Sequence, residues 1–201
     1  PSASLVVDPG MVVKLEAARI EAQMGTNVII EGVDGLPVYF TSRSDDTIGA
    51  GGTFDTNDNN SQSTPAPRDW GGIYMAPTSR LSIDHGRFSY GGGGTRMGGT
   101  FRAVHTIEIH QAEARIANSL FENNADGIGG QGPGTRLGRL SNSPSTIFVR
   151  GAQPIIIDNV FRDNSGSAIR IDVNSMTDEL VNDTGRQTGD ANRSVDYLAN
   201  R

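Results

Sequence analysis

Apolar and polar positions alternate in short runs along most of this chain. Thr106-Ile107-Glu108-Ile109 and Ser167-Ala168-Ile169-Arg170-Ile171 place Ile inward and a charged residue outward, the period of two expected of a strand with one buried face. Gly72-Ile73-Tyr74-Met75 and Thr146-Ile147-Phe148-Val149 predict two more such strands. Long runs with helical apolar spacing are absent. The nearest, residues 12–23, reads as strands over Met11–Leu15 and Arg19–Ala22 with Glu16 at the corner, or else as a short helix capping the array.

Three segments repeat one another: Ile83-Asp84-His85-Gly86-Arg87-Phe88-Ser89-Tyr90, Ile116-Ala117-Asn118-Ser119-Leu120-Phe121-Glu122-Asn123 and Ile156-Ile157-Asp158-Asn159-Val160-Phe161-Arg162-Asp163. Each has an aliphatic, a polar turn-former two residues on (His85, Asn118, Asp158), and a Phe three further along. The Phe residues lie 33 and 40 positions apart, and the predicted strands move in step with them. One corner turned once per circuit, each circuit stacking on the last, explains such a repeat. The pattern predicts an all-β parallel β-helix with about three short strands per turn. Extra length falls in Gly-rich inserts, residues 91–100 and 129–144.

Asp69-Trp70-Gly71-Gly72-Ile73, the following Ser82-Ile83…Phe88-Ser89-Tyr90-Gly91-Gly92 and the segments Phe121 to Asn124 and Phe161 to Asn164 resemble right-handed parallel β-helix repeats of secreted bacterial proteins in the pectin-lyase-like superfamily. Pro9-Gly10-Met11-Val12-Val13-Lys14-Leu15 and Pro37-Val38-Tyr39-Phe40-Thr41-Ser42 resemble the opening turns of such arrays. The resemblance covers roughly residues 5 to 175 and implies the fold. It leaves function open, because lyases, hydrolases, adhesins and surface proteins share that fold.

Composition adds little against this picture. A length of 201 residues suits one solenoid domain spanning 1–201. Cys is 0, which excludes disulfides and thiolate metal sites. No run approaches the ~20 apolar residues of a membrane span. The chain opens at Pro1 with its first Met at 11, so it reads as a processed form or fragment, and a missing signal segment says nothing about secretion. The tail, residues 174–201, is polar and lacks alternation. It reads as one more insert leading to further rungs and neighbouring domains, or as a cover folded over the last rung.

Charge is segregated: residues 1–79 carry net −6, residues 80–170 net +3 and residues 171–201 net −3. Of 17 basic residues 16 are Arg, Lys14 being the exception. Coding bias explains this blandly. The sharper reading is a face of Arg96, Arg102, Arg136, Arg139 and Arg170 for an acidic polysaccharide or cell-surface glycan, whose carboxylates suit a guanidinium fork. The acidic net charge of −6 and the lack of a basic-aromatic motif argue against nucleic acid.

Residues 43–68 form a polar insert without apolar periodicity. Asp45, Asp46, Asp55, Asn57 and Asn59 present hard oxygens at close spacing, a pattern that can wrap Ca²⁺. Asn60 stands where a calcium loop of the helix-loop-helix type has Gly, and Ala66 where it has Glu; the alternative is a loop built on Asx-turns. His105 and His110, five apart in an extended segment, are expected on opposite faces, and His85 is expected to form a corner ladder with Asn118 and Asp158.

For catalysis, relatives of the resembled fold use outward Asp pairs or Ca²⁺ with a basic residue. Arg170 beside Asp172 is the best such pair here, with Glu108 a further outward carboxylate expected on a different face. Trp70 and Tyr74 are candidates for stacking on sugar rings, or Trp70 caps the corner where the polar insert rejoins the coil. The resulting expectation is an extracellular structural or adhesive module that binds carbohydrate. The alternative is a polysaccharide lyase or glycoside hydrolase, or an inactive relative.

Overall fold

The computed structural model of this chain describes residues 3–49, 55–60, 62–97, 100–127 and 144–172. Strands follow one another in threes. The first circuit is β1 (Ser4–Val7), β2 (Val12–Leu15) and β3 (Ile20–Ala22); the second is β4 (Asn27–Glu31), β5 (Val38–Ser42) and β6 (Ile73–Met75). The third runs through β7 (Arg80–Asp84) and β8 (Gly86–Ser89), detours into a hairpin of β9 (Gly94–Met97) and β10 (Thr100–Ala103), and closes on β11 (Ile107–His110). The fourth is β12 (Glu113–Ala117), β13 (Leu120–Glu122) and β14 (Ser145–Arg150). The fifth is β15 (Ile155–Ile157), β16 (Val160–Arg162) and β17 (Ser167–Asp172).

Each strand pairs in parallel with its counterpart one circuit away. This gives a first sheet β1-β4-β7-β12-β15, a second β2-β5-β8-β13-β16 and a third β3-β6-β11-β14-β17. The molecule is an all-β parallel β-helix with three strands per turn. Residues 12–23 contribute two strands, and their corner falls at Ala17, whose φ is 47°, one residue past the expected Glu16.

In-register pairing turns the repeats into columns. Ile30, Ile83, Ile116 and Ile156 stack in the first sheet, and Ile20, Ile73, Ile107, Ile147 and Ile169 in the third. Val13, Phe40, Phe88, Phe121 and Phe161 form the column of the second sheet. Its rings lie nearly parallel with centroids 5.2, 5.0 and 5.0 Å apart, because strand spacing brings aromatic faces to stacking distance.

Corners repeat as faithfully. His85, Asn118 and Asp158, between first and second sheets, have φ of 47°, 50° and 54°, and Tyr90, Asn123 and Asp163, between second and third, have 65°, 54° and 54°. The expected ladder of His85, Asn118 and Asp158 is therefore a ladder of left-handed backbone. Backbone groups around it are satisfied by the next residue in sequence: Asn159 donates to Ile116 O (2.8 Å) and accepts from Ser119 N (3.0 Å). At the second corner Asn124 donates to Phe88 O (2.9 Å) and accepts from Gly91 N (2.7 Å), while Asn164 donates to Phe121 O (2.8 Å) and accepts from Asn124 N (2.9 Å). The Asn three residues after Phe121 and after Phe161 thus ties one rung to the next.

All three long connections, after β5, β8 and β13, leave from the corner between the second and third sheets. The Asp69-Trp70-Gly71-Gly72 segment returns the first of them to the coil. Asp69 accepts from Ser42 Oγ and Ala66 N, and Trp70 is buried against Phe40 with its indole N–H donating to Ser89 O at 2.7 Å. At Gly72 a Cβ would stand 1.8 Å from the His105 carbonyl oxygen, so only glycine fits.

Candidate functional site

The outer faces of the three sheets differ. On the second sheet, alternation turns Tyr39, Arg87, Leu120 and Val160 outward in one column. This column floors a groove of about 510 Å³, walled by the tight turn at Val33–Pro37 and by His85, Asn118 and Asp158 of the first corner. The Arg87 guanidinium lies 5.6 Å from the Tyr39 ring centroid, a cation–π arrangement that holds its charge over the groove floor. Arg162, farther along, is paired with Glu122 at 2.5 Å.

A second recess of about 530 Å³ adjoins it, sharing Val33, Asp34, His85 and Asn118. At its base Asp84 takes hydrogen bonds from three side chains on two neighbouring rungs: His85 Nδ1 at 2.6 Å, Arg115 Nη1 at 2.7 Å and Asn118 Nδ2 at 2.9 Å. Burial works against the charge of Asp84, but the hydrogen bonds from Asn118, Arg115 and His85 outweigh it and hold the carboxyl below its ordinary value. His85 keeps about a third of its side chain exposed, at 32%. Its Nδ1 faces Asp84, and the residue lines both recesses.

The third sheet is covered instead of open. Glu21, Tyr74, Glu108, Phe148 and Arg170 form its outward column, yet Tyr74, Glu108 and Phe148 are buried. Tyr74 and Ala76 pack with Val104, which follows the β9–β10 hairpin. Beneath this cover Glu108 Oε2 accepts from His105 Nδ1 at 2.9 Å and His105 N at 3.3 Å, and Oε1 accepts from His110 Nε2 at 2.8 Å. Because a carboxylate only accepts, both imidazole nitrogens facing it carry the proton. His105 stacks on Phe148 at 4.9 Å, and His110 lies 5.0 Å from Tyr74. Burial opposes the charge of Glu108, but the two histidines prevail and lower its pKa to about 2.

Several expectations change here. His105 and His110 converge on Glu108, because His105 sits in the corner before β11, where strand alternation does not apply. Glu108, Arg170 and Asp172 share one sheet: Glu108 pairs with Phe148 and Phe148 with Arg170, while His110 pairs with Arg150 and Arg150 with Asp172. Glu108 and Arg170 are therefore two strands apart, about 10 Å. Glu108 is 0% exposed and cannot touch a polymer, which removes it as a glycosidic acid or base. Arg170 is exposed. Trp70 is 0% and Tyr74 3% exposed, so neither ring face is open to a sugar; Trp70 fills the corner where the insert rejoins. Of the expected Arg face, Arg96 and Arg102 lie on the hairpin, and Arg136 and Arg139 fall outside the described residues, as do most of residues 129–144 and the whole of 174–201.

The calcium candidates are gathered in one loop, but most of their oxygens are engaged. Asp45 accepts from Thr41 Oγ1 (2.6 Å), Thr47 Oγ1 (2.5 Å) and Thr47 N (3.1 Å), and Asp55 from Asn59 N (3.2 Å) and Asn60 N (2.5 Å). Asn59 Oδ1 accepts from Gln62 N at 3.0 Å. Among the described residues of the loop, Asp46 Oδ2 and Asn57 Oδ1 are buried without a partner. Two oxygens fall short of the six to eight that Ca²⁺ takes, and no cluster of metal-ligating side chains occurs among the described residues. The described residues of the loop do not by themselves make up a site for the ion.

Tyr39, Arg87 and Arg115, which line the open recesses, were invisible as a group in sequence. Their signal is positional: Arg87 lies next to the Phe of its repeat and Arg115 just before the Ile of the next, both outward, and Tyr39 takes the place of Arg87 one circuit earlier. Comparison with protein-family models, with curated proteins and with solved structures found no match to this chain.

Proposed function

We propose that this chain is a structural or adhesive β-helix module of an extracellular bacterial protein, and that its first corner binds an acidic glycan. The observation that carries this is the open groove of about 510 Å³ running across rungs on the second sheet, with Arg87 poised over Tyr39 on its floor. A groove that crosses rungs suits an extended polymer. Guanidinium groups suit its carboxylates or sulfates, and the acids and amides of the rim suit its hydroxyls. The kinship proposed is with the pectin-lyase-like superfamily, supported by the parallel coil and by the Asp69-Trp70-Gly71-Gly72 and Phe-x-x-Asn segments.

Calorimetric titration with uronate and sulfated oligosaccharides tests this reading. Binding is expected to weaken with salt and to fall about tenfold or more in Arg87→Ala, the loss of one charge-assisted contact. If the folded protein binds no member of the panel, the glycan reading is wrong.

The second reading, a polysaccharide lyase or glycoside hydrolase or an inactive relative, draws on the convergence of Asp84, His85 and Arg115 at the adjoining recess. Release of unsaturated or reducing ends from the same oligosaccharides would favour it. Binding without turnover would favour the adhesive module.

A further inference from the structure

We propose that the ammonium group of Lys14 is the cation of the 43–68 loop, holding the place that its acidic composition suggests for a metal ion. Lys14 lies on β2 between the inward Val13 and Leu15 and pairs in register with Thr41 of β5. Alternation turns it outward, toward the loop that leaves the end of β5. Its Nζ donates to the Asp45 carbonyl at 2.7 Å and to Thr56 Oγ1 at 2.8 Å. One group thereby bridges two stretches of loop, 31 and 42 residues along the chain. A third stretch wraps the stem: a Cβ at Gly49, where φ is +96°, would lie 3.6 Å from Lys14 Cε.

The ligands Lys14 takes are a carbonyl and a hydroxyl, oxygens that a hard cation also takes. Around it the loop carries Asp45, Asp46, Asp55 and Asp58. A positive charge eases their mutual repulsion, and Lys14 bonds the backbone carbonyl of one of them, Asp45. The residue type fits the role. An ammonium is a compact charge with three donors on a flexible stem, whereas a guanidinium is a planar fork suited to paired oxygens. In a chain with 16 Arg, the single Lys stands at this bridge. A covalently attached cation also makes the loop's order independent of ion supply.

The oxygens identify what Lys14 displaces. Removing its side chain would take the ammonium away from the Asp45 carbonyl and Thr56 hydroxyl, in the loop where Asp46 Oδ2 and Asn57 Oδ1 are unpartnered. Thr56 N already donates to Asp46 Oδ1 at 3.4 Å, which keeps these groups together. Lys14→Met is therefore expected to create a demand for an external cation that the parent chain lacks.

The test begins with the unaltered protein. Its melting temperature is expected to be the same in millimolar Ca²⁺ and in excess chelator. Because Lys14 is the sole lysine, ¹⁵Nζ-lysine labelling gives one side-chain ammonium signal, expected to show slow proton exchange typical of a bonded ammonium. A melting temperature raised by Ca²⁺, or a freely exchanging ammonium, overturns the proposal. Lys14→Met is expected to melt about 3–8 °C lower, with part of the loss restored by Ca²⁺, and Lys14→Arg to rescue little. A Lys14→Met protein as stable as the parent also overturns it. If that variant fails to fold, the two measurements on the parent chain decide.

Discussion

Glu108 loses the water around both carboxylate oxygens and regains donors from two imidazoles and a backbone amide. Its folded pKa of about 2 lies below the ordinary 4.5, so the ionised form favours the folded state. That contribution is present in full above pH 4.5 and is lost as pH falls toward 2. Its size is on the order of 3 kcal/mol. Urea titrations between pH 5 and 2 are expected to show this slope in the parent and to lose most of it in Glu108→Gln. An equal slope in both would assign acid sensitivity elsewhere. Asn124 is the other decisive single residue. Asn124→Ala leaves Gly91 N and Phe88 O without their partner and is expected to cost about 2–4 kcal/mol by chemical denaturation, against under ~1 kcal/mol for an exposed polar residue. The sequence showed that Asn124 and Asn164 recur after Phe, but not that each amide points back along the coil. His105 was misread because period-two counting fails outside a strand, and His105 stands two residues before β11.

The Phe column makes each strand of the second sheet depend on its neighbours. Phe121 stacks on both Phe88 and Phe161, so Phe121→Ala opens a cavity between two rings. The expected loss is about 3–5 kcal/mol, or roughly 10 °C in melting temperature. Phe161, half-buried in the last described circuit, is expected to cost distinctly less when truncated. Equal losses at the two positions would deny the column its role. The elements themselves were legible: β6, β11, β14 and β17 fall within one or two residues of where alternation put them. Their assignment to sheets was less so. The run ending at Ile171 pairs with β14 as the same strand one turn later, a match that alternation within a strand does not reveal. Four short residues of connection, 163–166, separate β16 from β17, whereas the equivalent connection before β14 runs over 22, from 123 to 144. Unequal inserts hid equal strands.

At the scale of the molecule, the three faces divide the work. Outer faces of the first and second sheets meet at the corner that bears the groove, and the third is roofed. The arginines that line open recesses, Arg87, Arg115 and Arg162, are not the ones the charge pattern drew together, because net charge along a segment does not say which way alternate residues point. The inserts after β5, β8 and β13 all leave by one corner, and the strands on either side keep their register whatever the insert's length. Pitch and insert length are therefore separate variables in this molecule. The corner acts as a socket: a foreign peptide spliced there adds bulk at one edge of the stack while leaving the rungs, the ring column and the groove on the far corner unaltered. Variation among chains built this way would concentrate in that one longitudinal stripe, and a library of grafted loops displayed from successive rungs would stand in a row about 5 Å apart.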